Sequence, residues 1–313
     1  MPHATSATLS PSPAASPGFA PLDYALYAAT VAAWSLSWYA LDVQVEVGTV
    51  TVEWSLVWRF AIATVLMFGW VALRGDRMRF APRTHIVFAL MGVCIFSMNF
   101  NLFYYASAYL VSGLLSVVFS LASVFNFVIA FALTRERPAA GVLFGAVLGF
   151  AGIALMFAPT LATRAGTFGG EALFGLALCI GGVLLFCTGN QLSARLQRAW
   201  VPVIPASAWG MLYGTLASMA LALLRGQEPT FDLGAPYLIS LVWLAVVSTV
   251  VAFASYLTLV GRIGAGRASY ATVVFPVFAL LVSTALEGYR WGLMAVLGLA
   301  LVLLGNVFVI RGR

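Results

Sequence analysis

Arg59 lies some seven residues inside a long apolar run, and no carboxylate sits comparably deep in any run. An ionisable group in lipid costs upward of about 2.5 kcal/mol on insertion scales, so its presence needs a reason. Two reasons fit. The guanidinium can reach outward to water or satisfy carbonyls of a broken neighbouring helix, or its planar fork can receive the carboxylate of a bound solute. Neutral polar groups are more numerous: Trp34 and Tyr39, then Asn99, Asn101 and Tyr104, then Asn126, Asn190, Tyr256 and Tyr270. An asparagine inside an apolar layer either ties helices together, at about 0.6 kcal/mol each, or faces a wet cavity. Trp and Tyr anchor at a membrane–water boundary or stack on a ligand ring. As a set these residues suit a zwitterionic or neutral amphiphile with an aromatic body, and they suit phosphates poorly.

Catalysis fits badly. There is no acid pair, no His–acid pair and no nucleophile beside a base; Ser112, Ser116 and Ser269 read as helix-packing serines. His3 and His85 are far apart, and Cys94, Cys179 and Cys187 all fall in apolar runs, so no metal site and no cofactor are expected.

The elements that must position these residues follow from composition. Of 313 residues, 62% are hydrophobic and 8% charged, where soluble domains carry about 25% charge. That excludes a soluble enzyme, a nucleic-acid binder and a disordered chain. Residues 1–20, rich in Ser, Pro and Ala, are expected to form a disordered cytoplasmic tail rather than a signal peptide. Ten stretches of spanning length follow, at roughly 22–41, 52–73, 84–106, 108–133, 138–158, 168–190, 203–224, 235–260, 267–286 and 290–310. In lipid each must be helical, because a helix satisfies its own backbone groups. Of thirteen prolines only Pro276 falls mid-stretch; it should kink or break the ninth helix, as a tolerated irregularity or as a gating bend.

All sixteen basic residues are arginine. Twelve fall on the side shared by the C-terminus and the loops after even-numbered helices, and three on the opposite side, which places both termini in the cytoplasm. The bilayer and a small-molecule substrate are the expected partners, with no nucleic acid. Gly141, Gly145, Gly149 and Gly152 line one side of the fifth helix, for packing inside the bundle or at a weak homodimer contact, so the chain is expected to be a monomer or weak homodimer.

The two halves resemble each other. Gly113/Gly266, Ser116/Ser269, Val124/Val277 and Phe125/Phe278 match at an offset of 153, and Trp58/Trp209, Glu136/Glu287 and Gly141/Gly292 at 151. Residues 21–160 and 161–313 therefore read as two five-helix repeats. Five is odd, so the second copy enters the membrane inverted, the architecture on which many secondary transporters are built. The expected fold is an all-α polytopic membrane protein with ten transmembrane helices, arranged as two inverted repeats around a central cavity.

Trp34, Trp58-Arg59-Phe60, Phe103-Tyr104-Tyr105-Ala106, Ser112-Gly113, Glu136-Arg137 and the Gly145 to Gly152 glycines resemble the EamA-type repeat of the drug/metabolite transporter superfamily, over nearly all of residues 22–313. The resemblance implies a carrier whose cavity is lined mainly by helices 1, 3, 4, 6, 8 and 9. Within the superfamily the chain is most similar in texture to the bacterial YddG-type aromatic amino-acid exporters. The implied function is export of small metabolites, foremost aromatic amino acids, across the bacterial inner membrane by alternating access. With its acids at span edges (Asp23, Glu53, Glu136, Glu171, Glu287) or in loops, no ion coupling is expected. A proton- or ion-coupled multidrug or metabolite exporter is the alternative, and an intramembrane enzyme comes last. The family often places proline in mid helix 4, where this chain has Ser123.

Overall fold

The computed structural model describes residues 20–134, 140–162, 167–263, 268 and 270–311. The predicted tail (1–19), Glu136, Arg137, Arg164, Gly266, Arg267, Ser269 and Arg313 lie outside the described residues.

Among the described residues all regular structure is helical. Helix α1 spans Pro21–Val47, α2 Val52–Arg74 and α3 Pro82–Ser107. Helix α4 comes in two pieces, Ser112–Ser120 and Ala122–Thr134. Then follow α5 (Ala140–Ala162), α6 (Thr167–Arg198) and α7 (Val203–Leu224). Helix α8 is built of Ala235–Val242, Trp243–Val251 and Ala252–Ile263, ahead of α9 (Ala271–Leu286) and α10 (Leu293–Arg311). Seven of these helices are long and apolar enough to cross a membrane, and Ser112–Asn126 and Ala271–Leu286 are shorter apolar helices. The chain is a multi-pass membrane protein.

The helix ends follow local chemistry. Prolines open α1 and α3, where a missing N–H costs nothing. Gly48 and Gly75 close α1 and α2 with φ of 66° and 67°, a left-handed turn that a side chain would strain. Helix α1 runs six residues past its expected end at 41, which carries Asp42 and Gln44 into the helix and buries both.

The interruptions are not where proline alone predicts them. Pro276 does not break α9, which is continuous. The break falls instead in α4, at Leu121, in a stretch with neither Pro nor Gly. At the offset of 153, Pro276 corresponds to Ser123, two residues from that break. The Ser123 hydroxyl turns back to the Ser120 carbonyl at 3.2 Å, and the Cys187 thiol from α6 donates to the Ala122 carbonyl at 3.3 Å, so acceptors around the break are partly satisfied by side chains. Helices α3 and α8 each contain a wide, π-helical stretch, Val93–Met98 and Trp243–Val251, again about one repeat apart. Such turns loosen the i→i+4 ladder and re-aim the side chains beyond them.

Packing is mostly between the halves: α2 lies on α7, α5 on α10, and the first part of α4 on α9. Helix α1 packs on α8 and α9, while α6 packs on α3 and on the second part of α4. Contacts in three helix pairs, α2–α7, α5–α10 and α4–α9, show that their members run antiparallel. Trp58, early in α2, donates to the Thr230 carbonyl beyond the end of α7, and Trp209, early in α7, donates to the Met78 carbonyl beyond the end of α2. In the α5–α10 pair a Cβ built on Gly145 would stand 2.5 Å from the Gly305 carbonyl oxygen, and one on Gly152 2.5 Å from that of Gly298. Gly145 and Gly152 of α5 thus face α10, and Gly149 faces Leu121 of α4, inside the bundle. Ser112, opening α4, meets Ser283 in the last turn of α9 at 3.0 Å.

Candidate functional site

Where the two halves meet, seven rings form one connected cluster. Trp34 of α1 lies 5.3 Å from Tyr256 of α8 and 6.3 Å from Phe275 of α9, between ring centroids. Trp38, one turn along α1, contacts Phe103 of α3 at 5.1 Å and Phe119 of α4 at 5.5 Å. Phe119 reaches Phe186 of α6 at 4.7 Å and Phe275 at 6.4 Å, closing the circuit. Tilted and edge-on pairs of this kind contribute about 0.5–1.5 kcal/mol each beyond burial. The rings come from α1, α3, α4, α6, α8 and α9, three helices from each half. Phe103 and Tyr256 are themselves 153 residues apart. Trp34, Phe119, Phe186 and Tyr256 are only half-buried.

Local structure explains how some of these rings are held. The Ser35 hydroxyl, beside Trp34, bridges the Val31 carbonyl at 2.7 Å and the Phe275 carbonyl at 3.0 Å, pinning α1 to α9 just ahead of Pro276. Around Phe103, a Cβ on Gly182 of α6 would stand 2.8 Å from the ring, so glycine there is what lets α6 approach α3.

The other expected residues are placed differently. Asn99 and Asn101 donate their side-chain amides to the Ile95 and Ser97 carbonyls, clamping the wide turn of their own helix, and each keeps a buried oxygen without a partner. Asn126 sits at the α4–α6 contact, where Gln191 donates to its backbone carbonyl at 3.2 Å, and Asn190 is half-buried on α6 beside Gln191. Tyr270 accepts a hydrogen bond from Arg311 of α10, and Tyr39 takes no part in the ring cluster. Trp34 and Tyr256 are thus the expected pair brought together at the centre. Trp38, Phe103, Phe119, Phe186 and Phe275 complete the cluster; Phe103 stood in the Phe103-Tyr104-Tyr105-Ala106 motif, and the others had as their sequence signal an aromatic ring on a helix expected to face the cavity.

Arg59 and Tyr104 form a second locus. The Arg59 guanidinium lies 4.4 Å from the centroid of Phe100 and 5.1 Å from that of Phe60, a cation over two ring faces. Beside it stands the Tyr104 hydroxyl, which donates to Gln44 Oε1 at 2.7 Å. Arg59 Nε and Gln44 Nε2 are buried without an acceptor among the described residues.

Acids cluster at the helix ends. Glu53, 1% exposed, accepts from Arg225 at 2.6 Å, from Gln227 at 3.0 Å and from the Tyr105 hydroxyl. In the adjoining loop the Thr49 hydroxyl and the Gly234 N–H hold the Asp232 carboxyl below the usual carboxylate range. Glu287 accepts from the Ser112 N–H at 3.0 Å and from its hydroxyl, and Ser283 accepts from the Gly113 N–H at 2.7 Å, so the end of α9 supplies acceptors for free donors in the first turn of α4. On the other face Asp23 pairs with Arg262. Asp42, expected in a loop, is buried in the last turns of α1, with Ser107 in hydrogen-bond reach and Glu46 and Glu287 as charged neighbours.

Comparison with known proteins adds to this geometry. The model of the EamA-like transporter family matches residues 23–158 and again 171–311. An "uncharacterized transporter" of Archaeoglobus fulgidus is 28% identical over 298 residues, covering 91% of this chain and 98% of that one. A solved crystal structure, described only as that of a protein, superposes with a TM-score of 0.64 at 17% identity, over 91% of this chain and 95% of the other. That likeness speaks to the fold alone.

Proposed function

The chain belongs to the EamA-like transporter family, and from that premise we propose that it exports small metabolites, foremost aromatic amino acids, across the bacterial inner membrane by alternating access. The family and the archaeal relative are both described as transporters, so the protein is a carrier rather than an enzyme. The observation that carries the reading is the ring cluster: three helices from each half converge on Trp34, Tyr256 and their neighbours, the stacking surface an aromatic solute needs. Ten helices in two inverted repeats, 21–160 and 161–313 with both termini cytoplasmic, are supported by the antiparallel pairing of α2 with α7, α4 with α9 and α5 with α10. In this reading the Ser112–Ser283 contact closes one mouth of the cleft, while Pro276 and the break at Leu121 mark where α9 and α4 bend to open it. Asn99, Asn101, Asn126, Asn190, Tyr39 and Tyr270 turn toward the cleft in another state of the cycle. Movement is uncoupled and runs down the solute gradient.

Buried Asp42 favours one second reading, an ion-coupled exporter of the same superfamily, because a titratable group in the pathway is what proton coupling requires. Reconstitution into vesicles separates the two. Uncoupled export predicts saturable exchange of labelled tryptophan or phenylalanine that ignores an imposed pH gradient. Flux that collapses with that gradient, at fixed solute gradient, establishes coupling; no exchange of any aromatic amino acid removes the substrate assignment.

A further inference from the structure

We propose that Arg59, Gln44 and Tyr104 form a binding site for a small monovalent anion, a carboxylate or chloride, between α1, α2 and α3.

The charge count leads to it. Arg59 is 4% exposed, and none of the ion pairs among the described residues uses it. Removing a guanidinium from water without a counter-charge costs several kcal/mol. Two ring faces, Phe60 and Phe100, and a hydrogen bond to the Tyr104 hydroxyl oxygen offset part of that, but neither a ring quadrupole nor a neutral oxygen is a substitute for a full negative charge. Buried donors almost always find an acceptor, so Arg59 Nε and Gln44 Nε2 left over in one locus require an explanation. Both are donors. Donors around a buried cation are the groups that receive an anion.

Tyr104 fixes the arrangement. Its hydroxyl gives its proton to Gln44 Oε1, which turns the Gln44 amide so that Nε2 points away from that bond and is free. A third unpaired donor lies close in depth. The Ser55–Tyr237 hydrogen bond, 3.2 Å, sets the register between α2 and α8. Arg59 is four residues beyond Ser55 and Trp243 six beyond Tyr237, which is about 6 and 9 Å deeper along parallel helices. Trp243 Nε1 is buried without an acceptor, on the part of α8 that packs against α1 and α2. The anion is small and singly charged, since one arginine among uncharged donors neutralises one charge. Its source is the carboxylate of the transported solute, which deepens the function proposed above and rests on it, or free chloride.

Thermal unfolding of the full-length protein in detergent tests the site with sodium chloride, sodium acetate and sodium phenylacetate, against sodium sulfate at equal ionic strength. A saturable rise in unfolding temperature with chloride or a carboxylate, absent with sulfate, is expected. Gln44→Leu removes one donor and no charge, so it should fold and weaken that response at least tenfold, the scale of a hydrogen bond to an ion (roughly 1.5–3 kcal/mol). Arg59→Gln should abolish it. Carboxylate binding that competes with transported solute assigns the anion to the solute; chloride binding alone assigns an inorganic ion. No saturable anion dependence, or an unchanged response in Gln44→Leu, overturns the site. Anion binding without aromatic amino-acid flux keeps the site and removes the function; flux with no anion binding does the reverse.

Discussion

Trp58 and Trp209 make the same hydrogen bond at opposite ends of one helix pair. Each is the seventh residue of its helix, and each indole N–H donates to a carbonyl in the loop beyond the partner helix, Thr230 at 2.8 Å and Met78 at 3.1 Å. Because the donors sit at starts and the acceptors beyond ends, the two bonds can form together only if α2 and α7 run antiparallel.

Trp58→Phe and Trp209→Phe should each lower stability by about 1 kcal/mol, the net worth of one such bond. The sites are a helix length apart, so the double variant should show the sum within about 0.5 kcal/mol. Denaturant unfolding of the purified protein measures this, and strong non-additivity would contradict two independent pins.

Gly152→Leu and Gly145→Leu should prevent accumulation of folded protein, since their side chains first meet the Gly298 and Gly305 carbonyls and then the Val302 and Val309 backbone nitrogens and methyls. Overpacking costs about 1–3 kcal/mol even where neighbours yield. Gly69→Ala, with nothing within 4 Å of the added carbon, should leave yield and unfolding temperature unchanged. Size-exclusion profiles of the three variants give the comparison.

Trp34→Ala and Tyr256→Ala should each raise the KM for aromatic solutes by about two- to twelvefold, because each removes a ring face worth about 0.5–1.5 kcal/mol. Tyr270→Ala, whose hydroxyl faces Arg311, should raise it less. Equal effects at all three positions would place the solute elsewhere.

Arg225→Ala should destabilise more than Glu53→Gln. The arginine side chain is 49% exposed and can return to water, but Glu53 at 1% cannot, so removing Arg225 leaves a buried charge short of its cation. The expected gap is about 1–3 kcal/mol in denaturant unfolding, and the reverse order would show that Tyr105 and Gln227 alone suffice.

Asp42→Asn should leave vesicle flux, and its indifference to a pH gradient, as in the parent protein. Wild-type flux that follows the gradient, with an Asp42→Asn variant that does not, would assign proton coupling to this residue.

Helix content and the membrane setting were legible in the chain because they depend on composition and run length, which local solvation decides. The Trp58/Trp209 match was legible as well, and it marked equivalent positions before any contact was known. The ring cluster was only half legible. Trp34 and Tyr256 stood out as polar-tipped aromatics, but Phe119, Phe186 and Phe275 look like any lipid-facing phenylalanine until six helices are seen to converge. The amides of Asn99 and Asn101 serve the wide turn of α3, and no residue pattern announced that turn.

What the sequence by itself determined is therefore an apolar, helical, twice-repeated chain with one deep arginine, since hydropathy, helix length and the order of matching residues are properties of the string. Tertiary structure alone decided that α4 rather than α9 is interrupted, that Asp42 and Gln44 are inside, and that α10 covers Gly145 and Gly152 of α5. It also decided that Arg59 faces two rings and a tyrosine rather than a carboxylate. Each of these depends on which distant groups arrive within about 3–5 Å of one another, and contacts across more than a hundred residues are set by how the helices pack, which no local window of the chain contains.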